Sequence, residues 1–343
     1  MLSYAALLAS FVVKTFAAAL LPLHSTFSVA SLFSALCVAA GFVLLKRRPD
    51  KRSIGYRVML RALFPSWLYR NASFRADVGF LLFNVLVFGA LFGWAMCSAT
   101  VVSNSVRNAL TIHFGASAGI GLNSLAGNAV AAVSAFIAYE LAYWLDHYLK
   151  HRVPLLWEFH KVHHTAEVLS PLTNFRVHPV DSVIFGNIIA LFMGTTHGVM
   201  SYLKLSAAAD AGVSVIAVAF MWALGHLHHS HLWISTSGRL GRVILSPAHH
   251  QIHHSDNPIH FNKNFGAFLS IWDWLFGTLH IPEPRQPRLS FGVGYRAEHE
   301  HTAMGTLVTP FVVAWRRLRP LLGSGGARTT ARTRSSSEFT AHG

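Results

Sequence analysis

Apolar and polar positions fall in long blocks along this chain, not in the short alternation of a soluble helix or strand. A bilayer core takes about 20 apolar residues per helix, and six apolar runs approach or exceed that length. They cover residues 2–21, 27–45, 78–102, 122–145, 183–203 and 211–227. The first contains Lys14 and stops at Pro22. Its early position also fits a signal peptide, but no basic region precedes it. The second is uncharged, the third is long enough to tilt, and the fourth carries Glu140. Residues 204–210 form a short link, so spans five and six are expected to make an antiparallel hairpin. Residues 150–182 are polar and punctuated by Pro154, Pro171 and Pro179, as expected of helices capping a bundle. Residues 232–245 read as an interfacial helix with Arg239 and Arg242 towards the headgroups. Residues 323–343, rich in Gly, Ser, Thr and Arg, read as a disordered tail.

Composition agrees with this pattern. The chain is 52% hydrophobic and 12% charged, against about 25% charged in a soluble domain. A net charge of +14 would suggest nucleic acid in a soluble protein, but here the basic residues flank apolar spans. Topology explains them, and no nucleic-acid partner is expected. The segment KRRPDKR at residues 46–52 places five basic residues in seven. Positive charge stays cytoplasmic, so this loop and both termini are expected there. Counting spans from that loop brings residues 147–164 and 226–254 to the same face. The expected fold is an all-α integral membrane bundle with a cytoplasmic cap. Its expected divisions are a hairpin over 1–46, a basic linker over 47–77, a main domain over 78–282 and a C-terminal region over 283–343. Cys37 and Cys97 both sit in apolar runs, which argues against disulfides and iron–sulfur ligation.

The candidate chemistry lies in the histidines. Thirteen of 22 occur in the two stretches that the topology brings together. His147 and His151 form HxxxH, and His160, His163 and His164 form HxxHH. His226, His228, His229 and His231 follow, then His249, His250, His253 and His254, with HxxHH repeated at 250–254. Residues three and four apart share a helix face, so each motif aims its rings at a common point. A tetrahedral zinc takes four ligands, and so many imidazoles favour two metals. Zinc, copper and iron all accept imidazole. Asp146, Glu158, Glu167, Asp181 and Asp256 are the carboxylates available to accept a ligand's other ring N–H. Asp146 and Asp256 are the preferred candidates. Glu140 shares a helix face with His147 and His151. It is either a functional intramembrane acid or an interhelical hydrogen-bonding group.

Six motifs in order carry a resemblance to a known family. They are DHxxxHR at 146–152, HxxHH at 160–164, NFRxHPxD at 174–181, HSH at 229–231, HxxHH at 250–254, and NFG followed by WDxLFGT within 264–278. Over residues 78–282 the chain resembles the fatty acid hydroxylase/sterol desaturase superfamily. The resemblance implies a four-helix transmembrane stem formed by spans three to six, with two extra N-terminal spans and a cytosolic histidine-rich cap. It also implies two irons that use dioxygen and external electrons to hydroxylate or desaturate a C–H of a sterol, fatty-acyl or related lipid. Zinc can replace iron in a purified sample. By position, the implied ligands are His147, His151, His160, His163, His164, His229, His250, His253 and His254. The middle motif departs from the family's usual QHSN and reads HHSH, which leaves a tenth ligand open among His226, His228 and His231, with His226 one helical turn before the motif. His178 and His249, beside the motifs, read as supporting or substrate-facing groups. The chain shows no dinucleotide fingerprint or fused haem domain, so a ferredoxin or a cytochrome with its reductase is the expected electron donor. A metal transporter or a zinc-stapled scaffold is the competing reading. A transporter predicts histidines strung through the bilayer, whereas only His197 lies well inside a span, with His24 close to the first two.

Overall fold

The computed structural model describes residues 4–23, 25, 27–47, 55–122, 124–205, 215–293, 301–302 and 304–322. His24, most of the basic segment at 46–52, part of the link into the sixth span and the 323–343 tail lie outside the described residues. The helices in chain order are α1 (Tyr4–Leu20), α2 (Val29–Arg47), α3 (Tyr56–Leu63), α4 (Ser66–Arg70), α5 (Ala72–Phe83), α6 (Gly89–Phe92), α7 (Ala99–Phe114) and α8 (Ser124–Arg152). After these come α9 (Pro154–His164), α10 (Pro179–Tyr202), α11 (Val215–Phe220), α12 (His226–His228), α13 (Pro247–His253), α14 (Ile271–Leu275) and α15 (Thr309–Leu322). Among the described residues there is no strand beyond two isolated bridges, so the fold is all-α as expected.

Four segments are long and apolar enough to cross a membrane: Val29–Lys46, Ala72–Phe114, Ser124–Arg152 and Pro179–Tyr202. Helix α1 and the segment Val215–His228 are shorter apolar helices. Helix α8 has 29 residues, about 44 Å of helix against a hydrocarbon core of about 30 Å. Its C-terminal turns therefore project beyond the apolar stretch, and these turns carry His147 and His151. Lys150 and Arg152 in the last turn complement the helix dipole. The helix stops where Pro154 forces Val153 into an extended conformation. Pro154, Pro179 and Pro247 each open the next cap-side helix at its first turn, where no N–H is missed.

The third apolar run differs from expectation. It extends over Ala72–Phe114 and is broken at residues 96–98. The break is satisfied by Asn187 of α10, whose Oδ1 accepts from Cys97 N (2.8 Å) and whose Nδ2 donates to Ala95 O (3.0 Å). Irregular backbone at membrane depth persists only with such partners. Beyond the break, α7 runs parallel to α10 at close approach. A Cβ on Gly194 or Gly198 would lie 2.6 or 2.7 Å from the backbone oxygens of Ala99 and Ser103. The small-xxx-small spacing allows this contact.

Residues 232–245 do not form the expected interfacial helix; only Leu240–Arg242 makes a short 3₁₀ turn. The segment folds back on the histidine helix instead. Ala248 N donates to Ile234 O, and Thr236 Oγ1 donates to Ile244 O.

Candidate metal centre

Four elements bring the histidines together. His147 and His151 stand one turn apart on α8. His160, His163 and His164 lie on one face of α9. His250, His253 and His254 come from α13 and its C-cap. His229 follows α12 with φ −98° and ψ 63°, which turns its ring out of the helical path. The rings form two groups. His147, His151, His160, His164 and His253 make one, and His163, His229, His250 and His254 make the other. Within each group the ligating nitrogens lie within 4.8 Å of one another. All nine are buried except His151, which is half-buried.

Several rings are held by their Nδ1 atoms. His147 Nδ1 lies 2.9 Å from Phe265 O, His253 Nδ1 2.8 Å from Lys263 O, His163 Nδ1 3.3 Å from Arg176 O, and His160 Nδ1 2.8 Å from Asp181 Oδ2. Donation to these acceptors fixes the tautomer and leaves each Nε2 lone pair facing inwards. The Nε2 atoms of His147 and His160 are buried and meet no protein partner.

In the four-histidine group, His229 Nε2 lies 2.9 Å from His250 Nε2, 3.0 Å from His254 Nε2 and 3.1 Å from His163 Nε2. Neutral imidazoles cannot satisfy so many mutual contacts between ring nitrogens, because each ring carries one proton. A central cation resolves the crowding. Neighbouring ligands at right angles around an ion with N bonds of about 2.1 Å lie about 3.0 Å apart, as here. The donor set therefore fits a pair of metal ions.

Burial keeps the rings neutral. It pushes His163 and His253 down to about 3, with His160 adding to the effect. His164, His229, His250 and His254 are held well below the ordinary histidine value by burial first and then by neighbouring imidazoles. Neutral imidazole is the form that ligates.

The surrounding frame comes from the polar motifs. Asp273 Oδ1 accepts from Phe265 N (2.9 Å), Trp144 Nε1 (3.1 Å) and Thr278 Oγ1 (2.6 Å), while its Oδ2 accepts from Gly266 N (2.9 Å). This fixes the loop whose Phe265 carbonyl orients His147. Asn264 donates to His249 O and His280 O from a backbone φ of +60°, a conformation Asn tolerates better than most residues. Arg176 is fully buried. It binds Asp77 (2.6 Å), Thr165 (2.9 Å) and the Ser73 carbonyl (2.6 Å), and its own carbonyl meets His163.

Other expected site residues lie elsewhere. His226 joins neither group; its Nε2 is 2.8 Å from Ser31 Oγ. His228 Nε2 donates to Leu245 O, and His231 Nε2 donates to Ala62 O. His249 donates from Nε2 to Gly241 O and accepts from Ser246 N. His178 caps α10, accepting from Val180 N. Glu140 accepts from Phe268 N and Leu269 N of the loop before α14, so it ties α8 to a loop and does not join two helices. Asp256 accepts from Ser290 Oγ and orients none of the nine rings. Asp146 pairs with Lys150 at 2.6 Å. The carboxylate that meets a ligand is Asp181, in the first turn of α10 three residues after His178.

Fold and site together define a helical membrane protein with a paired polyhistidine centre. Comparison with known proteins sharpens the class: residues 132–278 match the fatty acid hydroxylase family model. An alkylglycerol monooxygenase of Danio rerio is 28% identical over 167 residues, covering 46% of this chain and 32% of that protein. A very-long-chain aldehyde decarbonylase of Oryza sativa subsp. indica is 28% identical over 54% of this chain and 30% of its own length. An ornithine lipid hydroxylase of Rhizobium tropici is 29% identical over 47% of this chain and 45% of its own length. The chain thus spans about a third of the alkylglycerol monooxygenase it matches. No solved structure matches it.

Proposed function

We propose that this chain is a membrane-bound di-iron oxidoreductase that uses dioxygen to hydroxylate or desaturate a C–H of a sterol, fatty-acyl or related lipid. The observation that carries this reading is the division of nine imidazoles, eight of them buried, into groups of five and four whose nitrogens face two common points. His147, His151, His160, His164 and His253 would hold one ion, and His163, His229, His250 and His254 the other. Irons held in this way supply reductive activation of dioxygen. Asp181 keeps the proton of His160 on Nδ1, and the Phe265, Arg176 and Lys263 carbonyls do the same for His147, His163 and His253. Burial would exclude bulk water from the rings.

Hydroxylation by dioxygen consumes two electrons and two protons per alcohol formed and releases one water. The proposed electron source is an acidic carrier, a ferredoxin or a cytochrome with its reductase. The names of these relatives concern alkylglycerols, very-long-chain aldehydes and ornithine lipids, which supports a lipid substrate. The distribution of basic residues along the sequence supports a cytoplasmic side for the histidine end and both termini.

The test is oxygen uptake by purified protein with reductant, donor and a lipid extract, alongside lipid analysis of a deletion strain. One lipid class should differ from wild type by one oxygen atom or two hydrogens. His163→Ala should abolish uptake while the protein still inserts in membranes. Tight metal binding without oxygen consumption would overturn the reading in favour of a scaffold or transporter.

A further inference from the structure

His229 is the one ring in the four-histidine group supplied by the segment after α12. Its Nδ1 has no hydrogen-bond partner, unlike the Nδ1 atoms of His147, His160, His163 and His253. Its Nε2 meets only other rings of the same group, so the backbone on either side sets the direction from which the ring enters it. That backbone is tied down twice, three residues before and two residues after.

On the first side, His226 Nε2 meets Ser31 Oγ of α2 at 2.8 Å, with both side chains buried. Phe27 packs edge-on against the His226 ring at 4.9 Å and against Phe175 at 3.9 Å. Ala35 and Ala39 of α2 form a buried cluster with Leu227, and Leu63, Leu232 and Ile234 pack around it. On the second side, His231 Nε2 donates to the carbonyl of Ala62 in α3 at 2.8 Å, and Trp67 packs edge-on at 6.0 Å. Ser31 and Ala62 both lie outside the 132–278 domain.

We propose that His226 and His231 are positioning residues through which α2 and α3 hold His229 on the four-histidine group. The N-terminal helices are then part of the metal centre's scaffold and not an appended anchor. The metal readout of this inference rests on the two-ion reading above; its exchange readout does not.

The experiment compares the full-length wild type with two double variants, His226→Phe with His231→Phe, and His226→Gln with His231→Gln. Phenylalanine keeps ring volume and removes both hydrogen bonds. Glutamine places an amide nitrogen near the lost Nε2 and restores a donor. Amide hydrogen exchange of the metal-free proteins is read over residues 226–232, and tightly held iron per chain is read after reconstitution with Fe(II).

The phenylalanine pair should exchange about tenfold faster over that segment, because losing both buried hydrogen bonds favours local opening. It should also fall from about two irons to about one, because the five-histidine group does not use this segment. The glutamine pair should match wild type in both readouts. Unchanged exchange and two irons in the phenylalanine pair would overturn the proposal. So would loss of both irons with faster exchange across α8, α9 and α13, which marks general unfolding, or a glutamine pair no better than phenylalanine. A wild type holding a single iron would overturn the two-ion reading alone, and the exchange comparison would still decide the struts.

Discussion

Asp181 stands between a ring of the five-histidine group and a buried cation: its Oδ2 lies 2.8 Å from His160 Nδ1, and its Oδ1 pairs with the ammonium of Lys150. Carboxylates behind ligating histidines typically contribute about 10- to 100-fold in metal affinity. Asp181→Asn keeps the shape of the side chain and removes its charge. Metal affinity at the five-histidine group should fall by about that factor, while the four-histidine group is left unchanged. Chelator competition resolves the two groups, and equal weakening of both would contradict the geometry.

Lys150 is 3% exposed and is shared by Asp146 and Asp181. Asp146 Oδ1 has no hydrogen-bond partner of its own, so the ammonium is its main compensation. Lys150→Met leaves two carboxylates buried without a cation, which costs about 3–5 kcal/mol in comparable sites. Thermal unfolding in detergent should shift down accordingly. Adding Asp146→Asn should recover part of the loss, since one uncompensated charge is removed. Additive damage in the double variant would mean that the two residues are not coupled.

Much of this centre was legible before any coordinates. Ring nitrogens at HxxxH and HxxHH spacing can share a point only from a helix face, and the charge rule brought both stretches to one side. Nine of the ten histidines read as ligands gather in the two groups. His226 does not, because a helical turn of spacing places it near the motif without showing that α2 presents Ser31 to it. Asp146 and Asp256 looked better placed than Asp181 by nearness in sequence to ligands. Asp181 reaches His160 because the 3₁₀ segment Pro171–Phe175 and the cap at His178 fold α10 back against α9. The break at 96–98 was invisible to hydropathy, which does not register that Asn187 can replace a helical turn.

Gly266 offers a test of the frame behind His147. A Cβ there would lie 2.2 Å from Leu269 O and 3.2 Å from Asp273 Oδ2, and neither can move without disturbing the amides that Asp273 and Glu140 hold. Gly266→Ala should destabilise the protein by about 1–3 kcal/mol. It should also lower metal affinity at the five-histidine group, because the Phe265 carbonyl is the next residue's neighbour. A variant with wild-type melting temperature and metal affinity would show that the loop relaxes freely.

Acid should weaken the metal-free protein through its buried imidazoles. Burial pushes His163, His249 and His253 down to about 3, whereas unfolded histidine titrates near about 6.5. Between these values the unfolded chain binds protons that the folded one refuses. Their contribution is therefore full above about pH 6.5 and is lost as pH falls towards about 3, at roughly 1.4 kcal/mol per pH unit for each group. The melting temperature of metal-free protein should drop steadily from about pH 7 to about pH 5. His249 touches no proposed ligand position, since its Nδ1 faces Ser246 and its Nε2 faces Gly241. His249→Gln should reduce the acid slope by about one group's share if it folds. A melting temperature that stays flat over this range would mean that the rings already carry protons in the folded state, and neutral imidazoles could not then be assumed ready for metal.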